Sequence, residues 1–211
     1  YDTDQAAQML KDAGYVIATE ESVVRMKEDI ALSFEMIYPN DGKHQAIAEA
    51  IQRDWAAIGV QVTITPVDYA IMITERLQSR SYEAALVDLN LSRFPDPDPY
   101  PFWDQAQATG GQNYSQWDNR IASEYLEQAR TVTDIDERSR LYRNFQVIFN
   151  EEIPSIPLYF PVYTYAVDQE IKGVTIGPLF DSSDRFLTVT DWYLVSRMQN
   201  TNLNATAVRD R

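Results

Sequence analysis

The sequence predicts an α/β fold, a mixed sheet flanked by helices. Three observations carry this. Between Ile30 and Leu91 the hydrophobic pattern switches period in the order β-α-β-α-β, which is how a layered unit of helices on a sheet reads. Turn and capping residues fall at the switches. Of the 211 residues, 45% are hydrophobic and 24% charged, a composition that folds and buries a sizeable core.

The elements follow in order. Asp2 or Thr3 caps a helix to about Ala13, with Asp2 and Gln5 resembling a capping box. Met9, Leu10 and Ala13 form its apolar stripe, and Gly14 suits the position just past its end. Residues 20–29 are polar and charged, and read as a surface loop. Ile30–Tyr38 is a strand ending at Pro39, and Asn40-Asp41-Gly42 is a turn. Residues 43–58 are helical, since Ile47, Ile51, Trp55 and Ile58 fall on one face, and Gly59 closes them. Val60, Val62 and Ile64 alternate with polar residues in a strand ended by Pro66. Residues 68–79 form a helix with Tyr69, Met72, Ile73 and Leu77 on one side, and Tyr82–Leu91 is the next strand.

The chain then changes character. Phe94–Trp103 holds four prolines, and no strand can run through it. Gly110–Tyr114 is a polar loop. Helices follow over 119–132, with Ile121, Tyr125, Leu126 and Ala129 inward, and from Asp134 or Asp136 to about Asn150, with Leu141, Phe145, Ile148 and Phe149 inward. Ile153–Tyr165 is strand-like but broken by three prolines. Lys172–Ile176 and Phe186–Leu194 read as short strands, Asp181–Asp184 as a loop, and the polar tail from about Gln199 as loosely held.

Charge and composition exclude several chemistries. With 18 Lys+Arg against 32 Asp+Glu the net charge is −14, which repels nucleic acid and anionic membranes. There are 0 Cys, and His44 is the single histidine, so thiolate chemistry, Cys-ligated metals and a Ser-His-Asp triad are not expected. His44 itself reads as a surface residue. No nucleophile elbow, P-loop or dinucleotide fingerprint occurs, and no cofactor is expected. No stretch reaches 18 apolar residues, so no membrane span is expected. The chain lacks a start Met and reads as a mature or excised piece of something longer.

Two carboxylates, Asp96 and Asp98, are the minimum for a glycan-acting hydrolase. Two positions apart on an extended segment, they point to opposite sides and do not easily flank one bond. A binding surface is the stronger reading. Phe94, Tyr100, Phe102, Trp103, Tyr114 and Trp117 crowd into residues 94–117 beside Arg93, Gln112 and Asn113. That stretch leaves the C-terminal end of a strand, where open α/β sheets hold ligands. The plain alternative is a structural or interaction domain, in which these aromatics only pin a Pro-rich corner.

Read together, several segments resemble a known family. They are YDTDQAAQMLKDAGY (Tyr1–Tyr15), IAEAIQRDWAAIGVQVTI (Ile47–Ile64), YEAALVDLN (Tyr82–Asn90), PDPDPYPFW (Pro95–Trp103), GQNYSQWDN (Gly111–Asn119), RSRLYRNFQVIFNEEIPSIPLYFP (Arg138–Pro161) and IKGV (Ile171–Val174). The chain is similar to the C-terminal half of family 5 extracellular solute-binding proteins, the dipeptide and oligopeptide class of ABC importers. The resemblance implies the second lobe of a type II periplasmic-binding fold. The lobe would span residues 1–180, a terminal strand or crossover segment 181–198, and a flexible tail 199–211. It implies a peptide or small-molecule ligand, permease partners, a missing N-terminal lobe that closes over the ligand, and an extracellular or periplasmic protein lipid-anchored through that missing part. It implies no enzyme activity.

The ligand-binding residues it suggests are Asp88, Asn90, Arg93, Phe94, Asp96, Asp98, Tyr100, Trp103, Asn113 and Tyr114. In peptide-binding members, a carboxylate three residues before the acidic-Pro step pairs with the peptide amino terminus. Matching that step to Asp96-Pro97 places Arg93 there, and matching it to Asp98-Pro99 places Pro95 there. Neither is acidic. Asp88 substitutes only if the loop is re-registered, and Arg93 favours a carboxylate or another anionic group.

Overall fold

Helix α1 (Thr3–Asp12) begins where the Asp2 carboxylate accepts from the Gln5 N–H at 2.8 Å. Its expected apolar stripe is partial, because Met9 is 64% exposed while Leu10 packs on the core. In the computed structural model, residues 1–19, 22–90, 97–177, 179 and 181–195 are described. They divide into two units, one of residues 1–90 and 98–156 and a smaller one from residue 157 onward. The larger unit ends at Ile156.

Strands β1 (Val16–Ile17), β2 (Arg25–Lys27) and β3 (Ile30–Ala31) form a small antiparallel meander. The polar run 20–29 is therefore not all loop. Arg25 explains this: its side chain donates to the carbonyls of Ile58 at 2.7 Å and Tyr15 at 3.0 Å, so a charged residue is anchored within a strand. The expected strand Ile30–Tyr38 splits, because Ala31 pairs back to Met26 while β4 (Ser33–Pro39) enters a second sheet.

That sheet is parallel, in the order β5-β4-β6. Helix α2 (Gly42–Ala56) links β4 to β5 (Gln61–Val67), and Gly59 takes φ +85 at the turn between them. β5 runs through Pro66, which was expected to end it. β5 is an edge strand among the described residues, where proline is tolerated. After β5, α3 (Tyr69–Ile71) passes into a π-helical stretch, Met72–Leu77. The five-residue spacing of a π turn puts Met72 and Leu77 together in the core, while Tyr69 is 59% exposed rather than on their face. Among the described residues of the expected strand Tyr82–Leu91, the paired part is β6 (Ala84–Ala85).

Alternation along β4 divides the core in two. Met36 and Tyr38 meet α2 residues Ala48, Ile51 and Trp55 on one face. Ile37 meets Met72 and Leu77 on the other. The sheet is therefore covered on both sides.

A third cluster lies further along. α4 (Tyr100–Trp103) and a 3₁₀ turn (Gln105–Gln107) precede α5 (Arg120–Ala129) and α6 (Ile135–Glu152). Pro101 is accommodated in the first turn of α4. Asn119 caps α5 and Asp134 caps α6 through bonds of 2.9 and 2.8 Å. Ala122, Leu126 and Ala129 are 0% exposed and define the inward stripe of α5. Ile121, read as inward, is 57% exposed, because it lies one residue's rotation off that stripe.

Trp117 lies 6.0 Å from Phe145 and 5.8 Å from Phe149, ring to ring. Its indole N–H donates to Glu152 at 2.6 Å, and Asn119 donates to the other Glu152 oxygen at 2.7 Å. Glu152→Ala strands the indole N–H and is expected to cost about 1–3 kcal/mol, read as a lower urea midpoint; Glu152→Gln, which keeps an acceptor, should cost less.

In the smaller unit, β7 (Ile171–Lys172) pairs antiparallel with β8 (Tyr193–Leu194). β8 is shorter than the run Phe186–Leu194 read as a strand, because 3₁₀ turns at Ser182–Phe186 and Val189–Asp191 take up the preceding residues, and β7 holds only Lys172 of the run Lys172–Ile176. Asp181 and Asp184 form a capping box in the first of these. The strand-like run 153–165 forms no strand among the described residues. The tail from Gln199 lies outside the described residues.

Candidate ligand-binding site

Because β4, β5 and β6 are parallel, their C-terminal ends emerge on one side of the sheet. Each is followed by an aspartate. Asp41 caps α2, accepting from the N–H groups of Lys43 at 2.9 Å and His44 at 3.0 Å. Asp68 caps α3, accepting from Ala70 at 2.9 Å and Ile71 at 3.3 Å. Asp88 follows β6 and is exposed. Between them lies a cleft of about 480 Å³ lined by Pro39, Asn40, Asp41, Lys43, His44, Asp68, Tyr69 and Asp88.

The cleft corrects the reading of His44 as a surface residue. It is 5% exposed. Its Nδ1 is 2.5 Å from Asp41 Oδ2, and its Nε2 is 3.2 Å from Asp88 Oδ2, an ion-pair distance without hydrogen-bond alignment. Lys43 Nζ reaches the same Asp88 oxygen at 3.0 Å. One carboxylate thus gathers the only lysine and the only histidine lining this cleft.

Hydrogen bonds from the His44 backbone and ring hold the Asp41 carboxyl below its ordinary pKa. A depressed carboxyl stabilises the fold above the ordinary carboxylate value of about 3.9, and that contribution is lost as pH falls through the lower folded value. Asp41→Asn is therefore expected to be less stable than the parent at neutral pH, with the difference closing as acid titration passes below about pH 4. Thermal unfolding at a series of pH values checks this.

Among the described residues, the others singled out in the sequence do not line this cleft. Asn90 is exposed, two residues beyond Asp88. Arg93, Phe94 and Asp96 lie outside the described residues. Asp98 and Tyr100 are drawn together by Arg130. The Asp98 carboxylate sits 3.1 Å from Arg130 Nε and accepts the Tyr100 N–H at 3.1 Å, while the guanidinium lies 4.3 Å above the Tyr100 ring. Trp103 stands edge-on to Phe149 at 4.9 Å.

Asn113 is 0% exposed, and its amide bonds the carbonyls of Asp104 and Trp117 and the Trp117 N–H. It organises its own loop. Tyr114 packs beside Ile37, Met72 and Tyr82 and accepts the Tyr82 O–H at its carbonyl. Burial raises the Tyr82 pKa, opposed by the Arg80 cation.

Sequence reasoning missed Asn40, Lys43, His44, Asp68 and Tyr69 as cleft residues. The signal was present: each lies just past the end of a strand in a βα connection. Among the described residues, no group of three His, Cys, Asp or Glu could hold a metal ion.

The chain is similar to known proteins in sequence and in fold. The family model of bacterial extracellular solute-binding proteins, family 5, middle region, matches residues 1–112. Di/tripeptide-binding protein 4 of Pseudomonas aeruginosa is 28% identical over 192 residues, 90% of this chain and 34% of that protein. The oligopeptide-binding protein OppA of Bacillus subtilis is 32% identical over 143 residues, 66% of this chain and 25% of that protein. In fold, the chain matches the oligopeptide-binding protein AppA of Bacillus subtilis, solved with a nonapeptide, at a TM-score of 0.75. That match has 22% identity over 93% of this chain and 38% of that one. The chain spans about a quarter to a third of the length of the curated relatives it matches.

Proposed function

From a chain that belongs to the bacterial extracellular solute-binding proteins of family 5, we infer one lobe of a receptor that captures a peptide or related small polar solute for ABC-type import. The convergence of Lys43, His44 and Asp88 at the carboxyl ends of parallel strands carries this reading, since that is where α/β sheets present ligands. The solute is a peptide in the reading we favour, because the similar proteins bear the names of di/tripeptide- and oligopeptide-binding proteins. Asn90, Tyr100, Trp103 and Tyr114 would extend the binding face beyond Asp88, with Asp98 and Asn113 holding its loops. If the family's acidic-Pro step corresponds to Asp96-Pro97, Arg93 takes the place of its amine-binding carboxylate and would favour a carboxylate or other anionic group on the solute.

Capture works by two lobes closing over the solute, the closed shape being what the membrane permease recognises. The other lobe belongs to the rest of a longer protein. The run from Ile156 to Tyr163 supports this: Phe160 and Val162 are 91% and 90% exposed, and apolar side chains so placed call for a covering surface. Residues from 157 onward would return toward that lobe. The full protein would work outside the cytoplasmic membrane, tethered there by a lipid anchor on its missing N-terminal part.

Native mass spectrometry of the full-length protein purified from its source tests the reading. A retained mass of peptide size, released on denaturation, is the expected result. A retained metal complex or glycan would overturn the peptide assignment. A protein that retains nothing and binds no short peptide would overturn solute capture.

A further inference from the structure

Arg80 occupies a backbone conformation that arginine enters at a cost. Its φ is +57, in the left-handed region that glycine adopts freely. It sits in the turn between the π-helical stretch Met72–Leu77 and β6. Residues held in such conformations persist where the surroundings fix them, and they concentrate where the geometry serves a purpose.

The guanidinium supplies the purpose. Nη2 donates to the carbonyls of Ala108 at 2.8 Å and Gly111 at 2.9 Å, and reaches that of Gln107 at 3.5 Å. Nε donates to Ala108 at 3.2 Å, and Nη1 donates to the Leu77 carbonyl. Its carbon lies 5.1 Å from the Tyr114 ring centroid. Two helix ends meet on this one side chain: Leu77 closes the π-helical stretch, and Gln107 closes the 3₁₀ turn. The last carbonyls of a helix lack internal donors, and a cation there satisfies both their hydrogen bonding and their partial negative charge. No carboxylate lies within 4.0 Å of the Arg80 side chain among the described residues. The charge is met by carbonyl dipoles and a ring face instead.

The loop it holds is closely built. A Cβ on Gly111 would fall 2.7 Å from the Gln107 carbonyl oxygen. Asn113 ties the loop from within, and the Tyr82 O–H holds the Tyr114 carbonyl from the sheet. Arg80 is the tie that joins loop, ring and helix end at once. Only a planar fork with five donors does this; a lysine offers one point charge.

We propose that Arg80 is a positioning residue for the binding face: it fixes residues 107–114 and the Tyr114 ring in place, and through them sets affinity for solute. This rests on the reading of Tyr114 as part of that face. Loss of the clamp leaves the sheet and its two covering layers intact but frees the loop.

The test uses Arg80→Gly and Arg80→Lys in the full-length protein. Glycine relieves the backbone while removing the clamp, and lysine keeps the charge without the fork. Hydrogen exchange is measured at amides 107–117, with thermal unfolding alongside and calorimetric titration with tri-alanine. Both variants are expected to keep a melting temperature close to the parent, to exchange at least about tenfold faster in that loop, and to bind about tenfold more weakly. Unchanged loop exchange in Arg80→Gly, or full rescue by lysine, would overturn the positioning role. Faster loop exchange with unchanged affinity would sever the loop from binding and overturn the proposal as stated. If the parent itself binds no tri-alanine, the titration uses the solute that native mass spectrometry recovers, and the exchange rates decide independently whether Arg80 positions the loop.

Discussion

Ile37→Ala is expected to lower stability by about 2–5 kcal/mol, the usual cost of a cavity at a fully buried aliphatic position. Ile37 is 0% exposed on the central strand, facing Met72 and Leu77. It lies where both sheet neighbours and the π-helical stretch are already fixed, so the site collapses poorly. Urea unfolding of the chain should show a lower midpoint with an unchanged slope. Ile121→Ala supplies the contrast. That side chain is 57% exposed, and its loss should stay within about 0.5 kcal/mol. Equal effects from the two isoleucines would mean that β4 is not the centre of the core.

Asp88→Lys is expected to weaken solute binding by roughly thirtyfold or more in the full-length protein, equivalent to about 2 kcal/mol. The aspartate oxygen lies 3.0 Å from Lys43 and 3.2 Å from His44. Reversing its charge sets three basic groups against one another and disperses the cluster. Its side chain is 64% exposed, so the melting temperature should hardly move. Calorimetry with whatever solute native mass spectrometry recovers, or with tri-alanine, measures the change. Undiminished affinity would remove the strand-end cleft from the binding face.

Much of the fold was legible in the sequence because periodicity and caps agree. Ile47, Ile51 and Trp55 marked α2, and Asp2, Asn119 and Asp134 stand where α1, α5 and α6 begin. The misreadings came where a tertiary tie outweighed local pattern. Arg25 looked like loop because its anchors, Tyr15 and Ile58, are distant in sequence. Tyr69 looked inward because a helix of ordinary pitch would have placed it there, and the wider π turn did not. Ile121 was judged by hydrophobicity, while the small Ala122 took the contact with α6.

The cleft was harder to read. The aromatic crowd at 94–117 drew attention by composition. His44 is a single polar residue whose role depends on Asp88, a partner 44 positions away that only the parallel register brings close. Asn113 was read as a ligand contact from its side-chain type; its bonds to Asp104 and Trp117 within its own loop have no signature in the sequence.

The order β5-β4-β6 also bears on how the chain reaches its fold. β4 meets β5 across a single helix, but it meets β6 only after α3 and the π-helical stretch have been made as well. Pairings more distant in sequence form later. A chain in which β6 has not yet paired would leave Met36 and Ile37 of β4 along an open strand edge. Such an edge templates association with other chains. The segment from Met72 to Ala85 thus also acts as the chain's own seal, and slowing its arrival would show as concentration-dependent loss of yield on refolding.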